Sequence, residues 1–276
     1  MKLSSAILLV TFILLVSALF ASNLLLKKEF DKVDKSDLYW TYGKILQQPF
    51  KHLKIEGGNV TNIAFEQSAN PSVRVFKNWA GYENGSVKTF VKNDTLFVNF
   101  PGNIENPNEK QWLRNITAVR IFCPELLSVT GFNTNFQVSK LKQKSISVNL
   151  SGKSKLEVQS YLSSLDTLNI SQKDSTKVVF EMSPELMTSN LNDLSDKSTK
   201  GIQTMQREAF NASYVTVASA PVRKGWETIN VQYVEATVEG NSLLDVGHAQ
   251  IKSLKLNITD SAAVILSGGT LKTIRK

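Results

Sequence analysis

A single cysteine, Cys123, stands among 276 residues, so neither a disulfide framework nor a zinc ribbon can form within the chain. Histidine is nearly as scarce: His52 and His248 lie far apart, and neither stands in a metal-ligand spacing. No Gly-Xaa-Ser-Xaa-Gly elbow and no phosphate-binding glycine loop occurs, which removes the commonest sequence routes to serine hydrolysis and nucleotide binding. Glycoside hydrolysis needs paired carboxylates. Glu157 and Asp245 occupy matched places in a repeat, but Val178 and Val264 stand there in its other copies, so no acidic ladder builds up. The expectation is a chain with no catalytic residue, no metal and no cofactor. Cys123, inside the apolar run Val119-Arg-Ile-Phe-Cys-Pro124, reads as a small core residue.

What is present is a repeated phrase. Ile146–Val158, Leu168–Phe180, Val234–Val246 and Leu254–Ile265 each consist of a short alternating apolar run, a small polar turn and a second alternating run. In the first copy Ile146, Val148 and Leu150 alternate with Ser147, Asn149 and Ser151, giving one apolar and one polar face. Ser154, Ser175, Ser242 and Ser261 mark the turns. Weaker copies stand at Leu127–Val138 and Phe210–Val217. A period of about 20 residues built from strands and tight turns predicts an all-β fold, a parallel β-helix or solenoid over residues 47–276. The rival, an antiparallel sandwich, lacks its usual turn signal, since Asn84-Gly85 is the only Asn-Gly or Asp-Gly pair and lies outside the repeats.

The first 26 residues stand apart. No charge occurs from Leu3 to Leu26, and Ala6–Leu26 as a helix would span roughly 32 Å, enough for a bilayer core. One N-terminal transmembrane helix is expected, with a cleavable signal peptide as the rival. Residues 27–46 read as a charged linker followed by a capping segment, in which Ser36–Leu46 could form a short capped helix carrying Tyr39, Trp40 and Tyr42. The formal net charge is +8. Its densest cluster, Lys140, Lys142 and Lys144, alternates along one strand face, either as a contact for an anionic partner or as a solvated edge. Nothing in the chain points to nucleic-acid readout.

Strand-like runs are expected at His52–Glu56, Ile63–Glu66, Val73–Phe76, Val87–Val91 and Thr95–Phe100, and a polar insertion at 183–208. Two loops interrupt the earlier strands. One carries Trp79, Tyr82 and Asn84, and the other ends in Gln111 and Trp112. Aromatic platforms beside amides are what a sugar-binding site uses, so these five residues are the candidate ligand site. His248, after Gly247, reads as a turn residue. Eight Asn-Xaa-Ser/Thr sequons occur, of which Asn149, Asn169 and Asn257 fall at similar places in the repeat and are expected on the outward face.

The order of Phe50-Lys-His-Leu-Lys-Ile-Glu-Gly-Gly58, Val73-Arg-Val75, Asn93-Asp-Thr-Leu-Phe-Val98, Val119–Gly131 and the Val148–Ser154 segment resembles the auto-transporter adhesin head (GIN) domain family of Bacteroidetes. The resemblance covers about 50–180 and resumes near 231. It departs in the 183–208 insertion and in its few Gly-Ser-Gly turns. It implies an exported, β-helical envelope protein of unassigned molecular function, and it supplies no catalytic residues. The sequence is therefore read as a non-catalytic, adhesin-like binding or scaffolding module, anchored in a membrane with its β domain outside the cytoplasm and a glycan or envelope protein as partner. A membrane-associated, self-assembling scaffold of the bactofilin kind is the runner-up, and a carbohydrate-active enzyme the third reading.

Overall fold

The computed structural model describes residues 3–32, 34, 36–101, 104, 106–139, 141–159, 164–181, 229–247 and 249–274. The 183–208 insertion, the weak copy at Phe210–Val217, Lys140 and His248 lie outside them. The chain divides into two units, Met1–Gly43 and Lys44–Lys276.

The first unit is dominated by helix α1, Leu3–Asp31. Its side chains from Ile7 onward are exposed, which an uninterrupted apolar surface tolerates in lipid but not in water. By length and composition it can cross a membrane, a property that a signal sequence shares. The helix runs past Leu26, so the first charged residues of the expected linker, Lys27 and Lys28, are its last turns. Cations there oppose the negative end of the helix dipole. The helix expected over Ser36–Leu46 does not form. Tyr42–Leu46 is instead strand β1, because a helix this short is marginal without tertiary support, whereas a strand gains a ladder of partners.

The second unit holds β2 (His52–Glu56), β3 (Asn62–Gln67), β4 (Ser72–Phe76), helix α2 (Ala80–Glu83), β5 (Lys88–Lys92), β6 (Thr95–Asn99), helix α3 (Pro107–Leu113) and β7 (Thr117–Cys123). Then follow β8 (Ser128–Phe132), β9 (Asn135–Ser139), β10 (Lys142–Ser151), β11 (Lys155–Gln159), β12 (Ser164–Gln172) and β13 (Lys177–Glu181). The chain resumes with β14 (Asn230–Val238), β15 (Leu243–Asp245), β16 (Gln250–Ile258), β17 (Ala263–Ile265) and helix α4 (Gly268–Ile274). One sheet has nine strands in the order β1-β4-β7-β3-β9-β11-β13-β15-β17, and the other eight in the order β16-β14-β12-β10-β8-β2-β6-β5.

These two mixed sheets overturn the solenoid expected over 47–276. The strands from β8 onward do pair in parallel, Ser147 with Asn169 and Glu235 with Lys255. The earlier part does not follow that rule. β7 lies between β4 and β3, and the pairs β4/β7 and β5/β6 are antiparallel. The cause at β5/β6 is local. Asn93 and Asp94 both have positive φ, 49° and 56°, and Lys92 pairs directly with Thr95. That is a two-residue hairpin of the primed kind, made by Asn-Asp where Asn-Gly is the familiar signal.

Alternation decides which side chains face inward. Ile146, Val148 and Leu150 of β10 and Leu156 and Val158 of β11 are buried, whereas Ser147 and Asn149 between them are not. Inward residues of both sheets join in one apolar cluster. Burying each such aliphatic side chain contributes about 1.5–3 kcal/mol before entropy is counted.

Candidate binding site

The two predicted loops meet in the structure. Asn106 caps α3, its side-chain oxygen accepting from the backbone N–H groups of Asn108 (3.0 Å) and Glu109 (3.4 Å), and Pro107 occupies the first turn. The capped helix carries Glu109, whose carboxylate accepts from Trp79 Nε1 at 2.7 Å. The Trp79 ring stacks on Phe100, with centroids 6.2 Å apart. α2 closes over the same indole, and a Cβ on Gly81 would stand 2.4 Å from it.

This arrangement buries Trp79, of which 2% remains exposed, so its face is not presented to solvent. Tyr82 is half-buried against the core. Asn84 is exposed, and its side chain is occupied locally, accepting from Ser86 N at 3.0 Å. Gln111 is exposed, and its carbonyl accepts from Asn115 Nδ2 at 3.1 Å. Trp112 keeps 39% of its surface and tilts against Phe76 at 5.9 Å. Of the five candidates, then, Trp112, Asn84 and Gln111 face solvent, while Trp79 ties the two loops to the core.

A second surface was not singled out in the sequence. The outer face of the eight-stranded sheet carries every other residue of its strands in register. One column across it reads Phe90, Phe97, Lys54, Thr130, Asn149, Ser171, Thr237 and Asn257. Most of it is hydroxyl and amide. Asn149 and Asn257 do share this column, but Asn169 pairs with Ser147 and Glu235 in the next one. At the β5 end the chemistry changes. Phe90 is 46% exposed and stacks nearly parallel on Phe97, with centroids 4.8 Å apart and planes 7° from parallel. Lys54 Nζ lies 5.9 Å from the Phe97 centroid and pairs with Glu56 at 2.8 Å. The sequence signal for this patch was the alternation Lys88-Thr-Phe-Val-Lys92, legible only once the hairpin after it is known.

Catalytic geometry is thin among the described residues. His52 Nδ1 and Ser128 Oγ lie 2.7 Å apart on the same outer face, yet no carboxylate there contacts the imidazole. Glu157 and Asp245 are separated in register by Val179. Glu157 is engaged by Gln137 (2.5 Å) and Lys155, and Asp245 accepts from Gly247 N at 3.0 Å. The described residues contain no cluster of His, Cys, Asp or Glu that could hold a metal. Burial pushes the Cys123 thiol up to about 12, an inert state for a nucleophile.

No protein-family model matches the sequence, and no curated protein matches it. Solved structures similar to this chain include a candidate adhesin from Parabacteroides merdae (12% identity, TM-score 0.34, covering 81% of this chain and 94% of that one). A candidate adhesin from Bacteroides fragilis has 12% identity and a TM-score of 0.37, over 81% and 96% of the two chains. A candidate lipid-binding protein from Parabacteroides distasonis has 10% identity and a TM-score of 0.32, over 81% and 94%. These neighbours are Bacteroidetes proteins, and at such scores they assign no activity to this chain.

Proposed function

We propose that this chain is a non-catalytic, adhesin-like binding or scaffolding module of a bacterial cell envelope, displayed outside the cytoplasm from a membrane anchor formed by α1. The observation that carries this reading is the pairing of an apolar helix with a β unit whose broad outer face is a registered array of Ser, Thr and Asn side chains. Such a face offers a row of hydrogen-bonding side chains to an extended ligand. The order of motifs resembling the GIN domain family supports the same placement. The deciding experiment is protease access in intact spheroplasts, with the size of the mature chain read on the same gel. Digestion of full-length chain from outside supports the reading. Protection until lysis places the β unit in the cytoplasm and overturns it.

Self-assembly on the membrane is the second reading, favoured by the last strands of the two sheets. Ile258 on β16 and Ile265 on β17 keep 45% and 44% of their surface, unlike Val238 and Val246, which are fully buried. Analytical ultracentrifugation of the detergent-solubilised chain separates the two: concentration-dependent polymers favour the scaffold.

A further inference from the structure

The β5 end of the eight-stranded sheet combines three features. Among the described residues β5 is the terminal strand, so the Phe90 ring is stacked on Phe97 on one side and has no neighbouring strand on the other. Lys88 and Lys92 lie two residues to either side of Phe90 on the same outward face, about 7 Å away along the strand. Neither makes an ion pair among the described residues, whereas Lys54 is neutralised by Glu56. Thr95 and Asn99 stand beside Lys92 and Lys88 on that face, and His52 and Glu56 continue the two rows, with Ser128 beyond His52.

We infer that this patch binds an acidic polysaccharide, with a uronate-type sugar ring on the free face of Phe90 and carboxylates at Lys88 and Lys92. The apolar C–H face of a pyranose packs on an aromatic ring, and the underlying Phe97 holds that ring in place before the ligand arrives. The two uncompensated ammonium groups select anionic over neutral glycans, and the positive net charge of the chain steers the approach. Hydroxyl and amide neighbours match sugar hydroxyls. A lipid surface would use the lysines but would draw nothing from the hydroxyl and amide side chains beside them. The inference rests on the proposed binding role and gives it a site and a ligand class.

The test uses the full chain in nanodiscs of neutral phosphatidylcholine, with polygalacturonate and dextran as immobilised probes. Polygalacturonate is expected to bind, more weakly as salt rises, and dextran not to bind. Phe90→Ala and the pair Lys88→Gln/Lys92→Gln should each weaken binding by roughly tenfold or more. The pair Lys142→Gln/Lys144→Gln, which removes equal charge from exposed β10 positions, should change it by no more than about twofold. Should Phe90→Ala fail to fold, the exposed lysine pair still decides. Unchanged binding in the Lys88/Lys92 variant overturns the site, even if that variant aggregates as an unguarded edge strand would. Equal loss in the Lys142/Lys144 variant reduces the effect to bulk charge and also overturns it. Tighter capture by vesicles of phosphatidylcholine and phosphatidylglycerol, lost in the same variants, would make the patch a lipid surface and overturn the glycan assignment. None of these outcomes depends on which side of the membrane holds the β unit, so failure here is separable from failure of the envelope reading.

Discussion

The carboxylate of Asp174 accepts a hydrogen bond from the backbone N–H of Gly152 at 2.8 Å, across the step from one strand layer to the next. Asp260 stands in the same relation to Gly240, at 3.4 Å. All four residues have positive φ, between 55° and 69°. Glycine adopts that conformation freely, and aspartate is among the few other residues that tolerate it. The turns therefore alternate between a residue that leaves space and one that reaches back to fill it.

Gly152→Ala and Gly240→Ala should each destabilise the β unit by about 1–3 kcal/mol, measured as a shift in urea midpoint. Gly240→Ala is expected to be the worse, because its new Cβ meets the Asp174 carbonyl oxygen at 2.7 Å. At Gly152 the obstacle is the Asn133 side chain, which can move. Asp174→Asn should be nearly neutral, since its amide oxygen still accepts, whereas Asp174→Ala should cost about 1 kcal/mol.

Beside these turns runs a buried polar contact. Thr176 Oγ1 donates to Ser242 Oγ at 3.0 Å and accepts from Gln172 Nε2 at 3.1 Å. Thr176→Val and Ser242→Ala should each cost about 1–3 kcal/mol by stranding a buried partner. The double variant should lose less than the sum, and a double-mutant cycle on urea midpoints reads that coupling.

Cys123 Sγ donates to the Glu125 carbonyl at 3.0 Å in an apolar setting. Its folded pKa, about 12, exceeds the ordinary thiol value of 9.0. The unfolded chain therefore releases its proton first, and this contribution to stability is full below pH 9 and falls as pH rises towards 12. Native protein at pH 8 should resist thiol reagents and react fully in urea. Rapid labelling of the folded chain would contradict the buried placement.

Trp79 and Trp112 should separate cleanly. Trp79→Ala should cost about 3–5 kcal/mol, as large aromatic deletions in cores do. Trp112→Ala, which forfeits one tilted contact with Phe76, should cost no more than about 1.5 kcal/mol. If the loop cluster binds a ligand, Trp112→Ala should reduce binding without moving the urea midpoint.

Several features are legible in the sequence alone. The alternation over Ile146–Leu150 gave inward and outward residues correctly, because a strand has a strict period of two. Others are not. The recurring serines Ser154 and Ser175 are not structural equivalents. Lys155 pairs with Lys177, which sets Ser154 beside Thr176. Backbone register obeys the ladder of hydrogen bonds, whereas matching by residue type is free to slip by one position within a turn.

The sequence by itself determined the apolar helix, the strands with their two faces, and the scarcity of cysteine and histidine, since each follows from residue type and local spacing. Tertiary structure decided the rest. It set the mixed sheet order, in which the Asn93-Asp94 hairpin turns β5 back against β6. It also turned Trp79 inward and left Phe90 outward on a terminal strand. The hairpin is local, but the place of β7 between β4 and β3, the neighbour that β6 finds in β2 and the Glu109 acceptor for Trp79 all come from distant segments, and such pairings leave no periodic mark in the chain.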